Sequence, residues 1–277
     1  NKNEFDGVCP TSAPVESFDV TAVLAKDALP DGRLVYNPRT NQGGQLHDPS
    51  AILWVRTSDL DKSGKLESGA PREPLILRAN AGDCIEVTVR NELPDFGTPM
   101  PDPDGFNTLP MIIDDFNAND VSPSRRVGMH PQLVSYDILQ SDGTYVGQNP
   151  NQLVEPGKKT TYQWYAGQLR PEPDGTVEAV PTEFGATNLM PADPIEQNQK
   201  GLIGALVVEP RDATWQTDQG TRAEATVTRG DGSTFREFVM VYQNDVNLRR
   251  GSGQGEPLPI FASEMDDPED SGYAAVN

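Results

Sequence analysis

An all-β fold, a Greek-key sandwich or barrel with long loops, is predicted by three features of the sequence. Short β-rich runs recur along the chain, 25 glycines and 25 prolines punctuate them, and no long amphipathic helical pattern intervenes. Seven or more short strands separated by turn residues are the signature of two stacked antiparallel-rich sheets.

In chain order, the strand candidates are Ser17 to Leu24, Ala51 to Thr57, Leu75 to Ala79, Cys84 to Asn91, Gln132 to Ile138, Thr160 to Ala166 and Leu202 to Glu209. Within Cys84-Ile85-Glu86-Val87-Thr88-Val89 apolar and polar residues alternate, so one face is expected inside and one outside. Glu224 to Arg229 and Phe235 to Gln243 flank Gly230-Asp231-Gly232-Ser233, a hairpin signal because glycine supplies the positive φ of a tight turn. The stretch Leu93 to Arg126, rich in Pro, Asp and Asn, is too long for a simple hairpin loop. Composition shifts again after Pro210. The expected division is an N-terminal arm over 1–16, a large domain over 17–210, and a linker, hairpin and opening strands of a second domain over 211–277.

Charge narrows the partners. Acidic residues number 42 against 22 Lys plus Arg, for a formal charge of −20 over 277 residues, and the acids are spread along the chain. That balance argues against nucleic acid and anionic membranes and favours cations or basic proteins near the surface. No apolar run approaches the roughly 18 residues of a membrane span, and no signal-like segment precedes Asn1. Neither cysteine, Cys9 or Cys84, lies in a CxxC motif. A disulfide stapling the N-terminal arm to the sheet is the simplest reading and implies an oxidising location: secreted, periplasmic or cell-surface. Two unrelated buried thiols are the alternative.

Two histidines, His47 and His130, bound the chemistry. A blue-copper site needs two imidazoles and a thiolate around one metal, and a trinuclear copper cluster needs many more. No HExxH and no Gly-x-Ser-x-Gly elbow is present. His47, within Gln45-Leu46-His47-Asp48-Pro49, is expected in a polar loop.

The segment Arg126-Val127-Gly128-Met129-His130-Pro131-Gln132-Leu133-Val134-Ser135-Tyr136-Asp137 is followed by Ser141-Asp142-Gly143, Val154-Glu155-Pro156-Gly157, Thr161-Tyr162-Gln163-Trp164-Tyr165-Ala166-Gly167 and Gly201-Leu202-Ile203-Gly204-Ala205-Leu206. Upstream stands Leu75-Ile76-Leu77-Arg78-Ala79-Asn80-Ala81-Gly82-Asp83-Cys84-Ile85-Glu86-Val87. In this order the pieces resemble the cupredoxin domains of multicopper oxidases, of the large ceruloplasmin-like or bacterial manganese-oxidising kinds, over roughly residues 17 to 210. That family carries a His-x-His-Gly strand, a Pro-Gly turn, a Thr-Tyr-x-Trp strand, a His-x-His segment and a Gly-Leu-x-Gly strand. Phe238 to Asp245 and Asp267 to Gly272 resemble the opening of a following cupredoxin-like domain.

The resemblance also exposes what is missing. His130 takes the place of the first histidine of His-x-His-Gly, and Gln132 takes the place of the second. The stretch aligned with the second motif, Glu183 to Met190, contains no histidine. Amides such as Gln132 and Asn188 are poor substitutes for imidazole at copper. His130 is therefore either a lone copper ligand completed by another polypeptide or a core histidine bonded to backbone. Met100, Met111, Met129 and Met190 are soft-ligand candidates by element, with packing as the alternative.

A calcium reading attaches to Asp59-Leu60-Asp61-Lys62-Ser63-Gly64-Lys65, where Asp59, Asp61 and Ser63 match the first half of an EF-hand loop. The twelfth position is Ala70 rather than glutamate, and a solvated β-turn is the alternative. Asp114-Asp115 and Asp266-Asp267 are acidic pairs that could join a cation site. The expectation that unites these readings is a non-catalytic N-terminal portion of a secreted copper-dependent oxidase, with copper held elsewhere, by further cupredoxin domains on the same precursor or on another chain. The competing expectation is a secreted structural or interaction module, calcium-binding or self-associating.

Overall fold

A computed structural model describes residues 4–41, 43–98, 123–244, 246, 248–258 and 273–277. Met100, Met111, Asp114, Asp115, Asp266 and Asp267 lie outside the described residues, as do Asp245 and the 267–272 stretch.

The chain opens with a small hairpin of β1 (Phe5–Asp6) and β2 (Cys9–Pro10). β3 (Val15–Leu24), β4 (Leu34–Asn37), β5 (Leu46–Asp48), β6 (Ile52–Arg56), β7 (Leu75–Asn80) and β8 (Cys84–Asn91) follow. After the stretch outside the description come β9 (Met129–Pro131), β10 (Ser135–Tyr136), β11 (Lys159–Tyr165), β12 (Gly167–Pro171), β13 (Val177–Pro181), β14 (Gly185–Pro191) and β15 (Gly204–Glu209). Beyond Pro210 lie β16 (Thr214–Thr217), β17 (Glu224–Thr228), β18 (Thr234–Phe238), β19 (Tyr242–Asn244), β20 (Arg249–Arg250), β21 (Glu256–Pro257) and β22 (Ala274–Val276).

Two sheets make the predicted sandwich, one in the order β10-β11-β8-β3-β6 and the other β7-β15-β14-β9. Most neighbours are antiparallel, but β3 lies parallel to β8 and β7 parallel to β15. Such crossings are how a Greek key passes chain between sheets. Period-two alternation fills the space between them: Phe18, Val20 and Ala22 from β3 and Ile85, Val87 and Val89 from β8 meet Leu77 of β7 and Leu206 of β15. Tyr162 and Trp164 of β11 stack with centroids 6.5 Å apart and an interplanar angle of 6°. The disulfide Cys9–Cys84 forms and ties the N-terminal hairpin to the start of β8, across 75 residues of sequence.

β7 and β15 are buried on both faces. Their outer residues Ile76, Ala205 and Val207 are covered by Ala223 and Val239 of the C-terminal segment. There the antiparallel meander β16-β17-β18 folds back, with Thr228 opposite Thr234 across the predicted hairpin. Gly232 adopts φ +84° in that turn.

Two expected strands are broken. Gln132 to Ile138 does not run straight, because Leu133 takes φ +63°, a left-handed conformation that ends β9 before β10 begins. Phe235 to Gln243 divides into β18 and β19. His47 is also corrected. It lies in β5 rather than a loop and is fully buried, because β20 pairs against it at Arg249. Neither of its ring nitrogens has a hydrogen-bond partner among the described residues.

Candidate functional site

His130 sits on the short strand β9, whose outer partner is the loop 137–144. Two glycines permit the approach. A Cβ on Gly128 would stand 1.9 Å from the carbonyl oxygen of Gly143, and one on Gly143 would stand 2.2 Å from that of Met129. Backbone therefore packs on backbone, and Asp142 is carried beneath the imidazole. Gln152 holds the loop, its Oε1 accepting from the N–H groups of Asp142 at 2.7 Å and Gly143 at 3.2 Å. The indole of Trp164 donates to the Ser141 carbonyl at 2.9 Å, and the Tyr162 hydroxyl donates to the Gln152 carbonyl at 2.7 Å. Burial raises the Tyr162 phenol well above its ordinary range, so this hydroxyl remains a donor at ordinary pH.

Nδ1 of His130 lies 2.9 Å from the Asp142 carbonyl oxygen and 3.0 Å from its Oδ1. Both are acceptors, so Nδ1 carries the proton and Nε2 keeps its lone pair in the neutral ring. Among the described residues Nε2 has no hydrogen-bond partner. The ring meets Tyr136 edge-on, with centroids 5.8 Å apart. Burial first, then the Asp142 charge, raise the Tyr136 phenol. Asp142 also accepts from the Thr144 hydroxyl.

Strand register decides the rest of the motif. β14 pairs with β9 so that Met190 faces His130, with Leu189 opposite Pro131. Gln132, just past the end of β9, donates its amide to Met190 Sδ at 3.1 Å. Asn188 is exposed. Leu133 follows Gln132 with φ +63°, and its side chain is 67% exposed.

The sequence signalled His130 and Gln132 but not Asp142 and Gln152, which fix the imidazole. Ser141-Asp142-Gly143 follows the histidine segment in the sequence pattern, but nothing in that pattern places it under a histidine 12 residues away.

The calcium expectation meets other partners. Arg222 donates through Nη1 to Asp59 Oδ2 at 2.8 Å and through Nη2 to Oδ1 at 2.9 Å, so both oxygens of Asp59 face a guanidinium. Asp61 Oδ1 accepts from the backbone N–H and hydroxyl of Ser63, each at 2.7 Å, and from the Lys65 N–H at 3.0 Å. These bonds lower the Asp61 carboxyl below its ordinary value and build a turn around Gly64, φ +80°. Asp59 and Asp61 are thus not assembled around a common cation.

No protein-family model matches the chain, and no curated protein matches it. Among solved structures, it is similar to a multi-copper oxidase from Pseudomonas thermotolerans at 18% identity and a TM-score of 0.36, covering 76% of this chain and 36% of that one. It is also similar to a copper nitrite reductase from Nitrosomonas europaea at 14% identity and a TM-score of 0.36, covering 72% of this chain and 42% of that one. The chain thus spans well under two thirds of either.

Copper does not fit the donors around His130. Only one imidazole is present, and the Gln132 amide beside it is bonded to Met190. No group of three or more His, Cys, Asp or Glu able to hold a metal occurs among the described residues. An oxidase site needs several imidazoles or a thiolate, so no step of copper chemistry is derived for this chain.

Proposed function

We propose that this chain is a non-catalytic, cupredoxin-like portion of a secreted copper-dependent multicopper oxidase, with electron transfer to oxygen carried out by copper held on other modules. The observation that carries this reading is the β9–β14 pairing. It sets His130 opposite Met190, whose Sδ takes the amide of Gln132 just beyond the strand, and a left-handed Leu133 follows, where the family pattern places His-x-His-Gly. The frame of a metal motif is kept and its second imidazole is replaced by an amide. Export is supported by the Cys9–Cys84 bridge, since disulfides persist in oxidising compartments. The segment after Pro210 would open a second cupredoxin-like module, and further modules on the same precursor or another chain would supply the metal.

The test is native mass spectrometry of this chain titrated with copper, alone and with the remainder of its source protein. Well under one copper per isolated chain, with copper appearing only in the assembly, is the expected result. Stoichiometric copper on the isolated chain, lost on His130→Ala, would sink it.

A second reading is favoured by one observation. Phe238, Met240 and Tyr242 alternate along an extended segment and are 62%, 62% and 70% exposed, with Val276 paired opposite Tyr242. An apolar row of this kind suits a secreted module that associates with itself or a partner, and a copper-free homo-oligomer in the same spectrum would favour it.

A further inference from the structure

The seam between the sandwich and the C-terminal meander carries Arg56, Arg78 and Arg222 against Asp59, Glu73, Glu209 and Glu237, none used by the site at His130. Most of these charges are settled. Arg222 and Asp59 form a bidentate pair. Glu73 accepts from the Thr221 hydroxyl at 2.6 Å and from the Arg222 backbone N–H. Arg56 donates to the Ile76 carbonyl at 2.9 Å and lies over the Phe18 ring.

That leaves Arg78 as the cation in contact with two carboxylates. Its Nη1 contacts both Glu209 of β15 and Glu237 of β18, and its Nη2 donates to the Arg222 carbonyl at 3.2 Å. Side-chain exposure is 3% for Arg78, 1% for Glu209 and 17% for Glu237. The apolar remainder of the seam is built from Ile76, Ala205, Val207, Ala223 and Val239, mostly small side chains. Two ionised carboxylates on one guanidinium would leave a net negative charge buried here, and a shared proton removes it.

We propose that Arg78, Glu209 and Glu237 form a pH-dependent clasp, which holds the β16-β17-β18 meander on the outer face of β7 and β15 and loosens as pH rises through neutrality. Burial first, then the Glu237 charge, push the Glu209 carboxyl up to about 7 from an ordinary 4.5, against the opposing pull of Arg78. A group raised on closure contributes stability fully present below the lower value and lost as pH climbs through the upper one. The meander is therefore tightest in mild acid.

Hydrogen exchange of the whole chain, corrected for intrinsic rates and followed at about pH 5.5 and about pH 8.5, reads the clasp directly. Protection over 214–238 is expected to fall on the order of tenfold or more relative to β8 and β11. E209Q, which cannot ionise, should abolish the step, and so should E237Q, which leaves one carboxylate for one guanidinium. Near-ultraviolet circular dichroism confirms that each variant is folded. Unchanged wild-type protection, or a step that survives in either folded variant, would overturn the proposal.

Discussion

The polar cluster beneath His130 is local: Asp142 lies 12 residues along the chain and Gln152 a further 10. The cluster around Arg78 joins residues 131 and 159 positions away, on β15 and β18. Hydrogen bonds to backbone and amide groups dominate the first, and charges dominate the second. The local cluster closes over a short stretch of chain, and Tyr162 and Trp164 of β11 then hold its loop against the core. The distant one is complete only when the meander brings Glu237 to the Arg78–Glu209 pair, and it inherits the desolvation cost of every charge it brings in.

Substitutions that strike one cluster and spare the other break this comparison most sharply. Arg78→Ala strands two carboxylates at the seam and is expected to cost about 3–5 kcal/mol in urea-induced unfolding. A loss below about 1 kcal/mol would mean that water reaches the triad. Replacing Arg78, Glu209 and Glu237 together by apolar residues should recover most of the loss, because the buried charges vanish with their cost.

Removing the disulfide tests whether the N-terminal hairpin depends on either cluster. Cys9→Ser with Cys84→Ser is expected to lower stability by about 2–4 kcal/mol while leaving the seam's pH dependence intact. Loss of that dependence would show the arm and the seam to be coupled.

His130→Ala deletes an imidazole hydrogen-bonded to Asp142 and packed on Tyr136. The expected cost is about 1–2 kcal/mol, smaller than at Arg78 because a neutral ring's hydrogen bond is lost rather than the cation between two buried carboxylates, and Oδ2 of Asp142 keeps the Thr144 hydroxyl. A cost equal to that of Arg78→Ala would erase the distinction between the clusters. The smallest effect has the opposite sign. Leu133→Gly relieves a left-handed, exposed leucine and should stabilise by about 1 kcal/mol, measured as a shift in denaturation midpoint.

Much of the fold was legible because its causes are local. Cys84 to Asn91 shows its alternation letter by letter and becomes β8 with the same limits. The Gly230–Ser233 turn announces its hairpin for the same reason. Where the reading failed, the failure had a physical cause. Leu133 has a side chain, and nothing in the run Gln132 to Ile138 advertises a positive φ that loop packing imposes. Asp59 matched a calcium loop in spacing, but Arg222, 163 residues downstream, takes both its oxygens.

Residue order alone settles the all-β class, the Gly230–Ser233 turn and the shortage of imidazoles, since each depends on neighbours a few positions apart or on a simple count. Tertiary structure settles which faces are covered twice, why His47 is buried, and which carboxylates share Arg78. Leu75 to Asn80 has Arg78 in its middle, as a half-exposed strand would. It is buried on both faces because a meander more than 130 residues later folds over it, and local periodicity carries no record of so distant a contact.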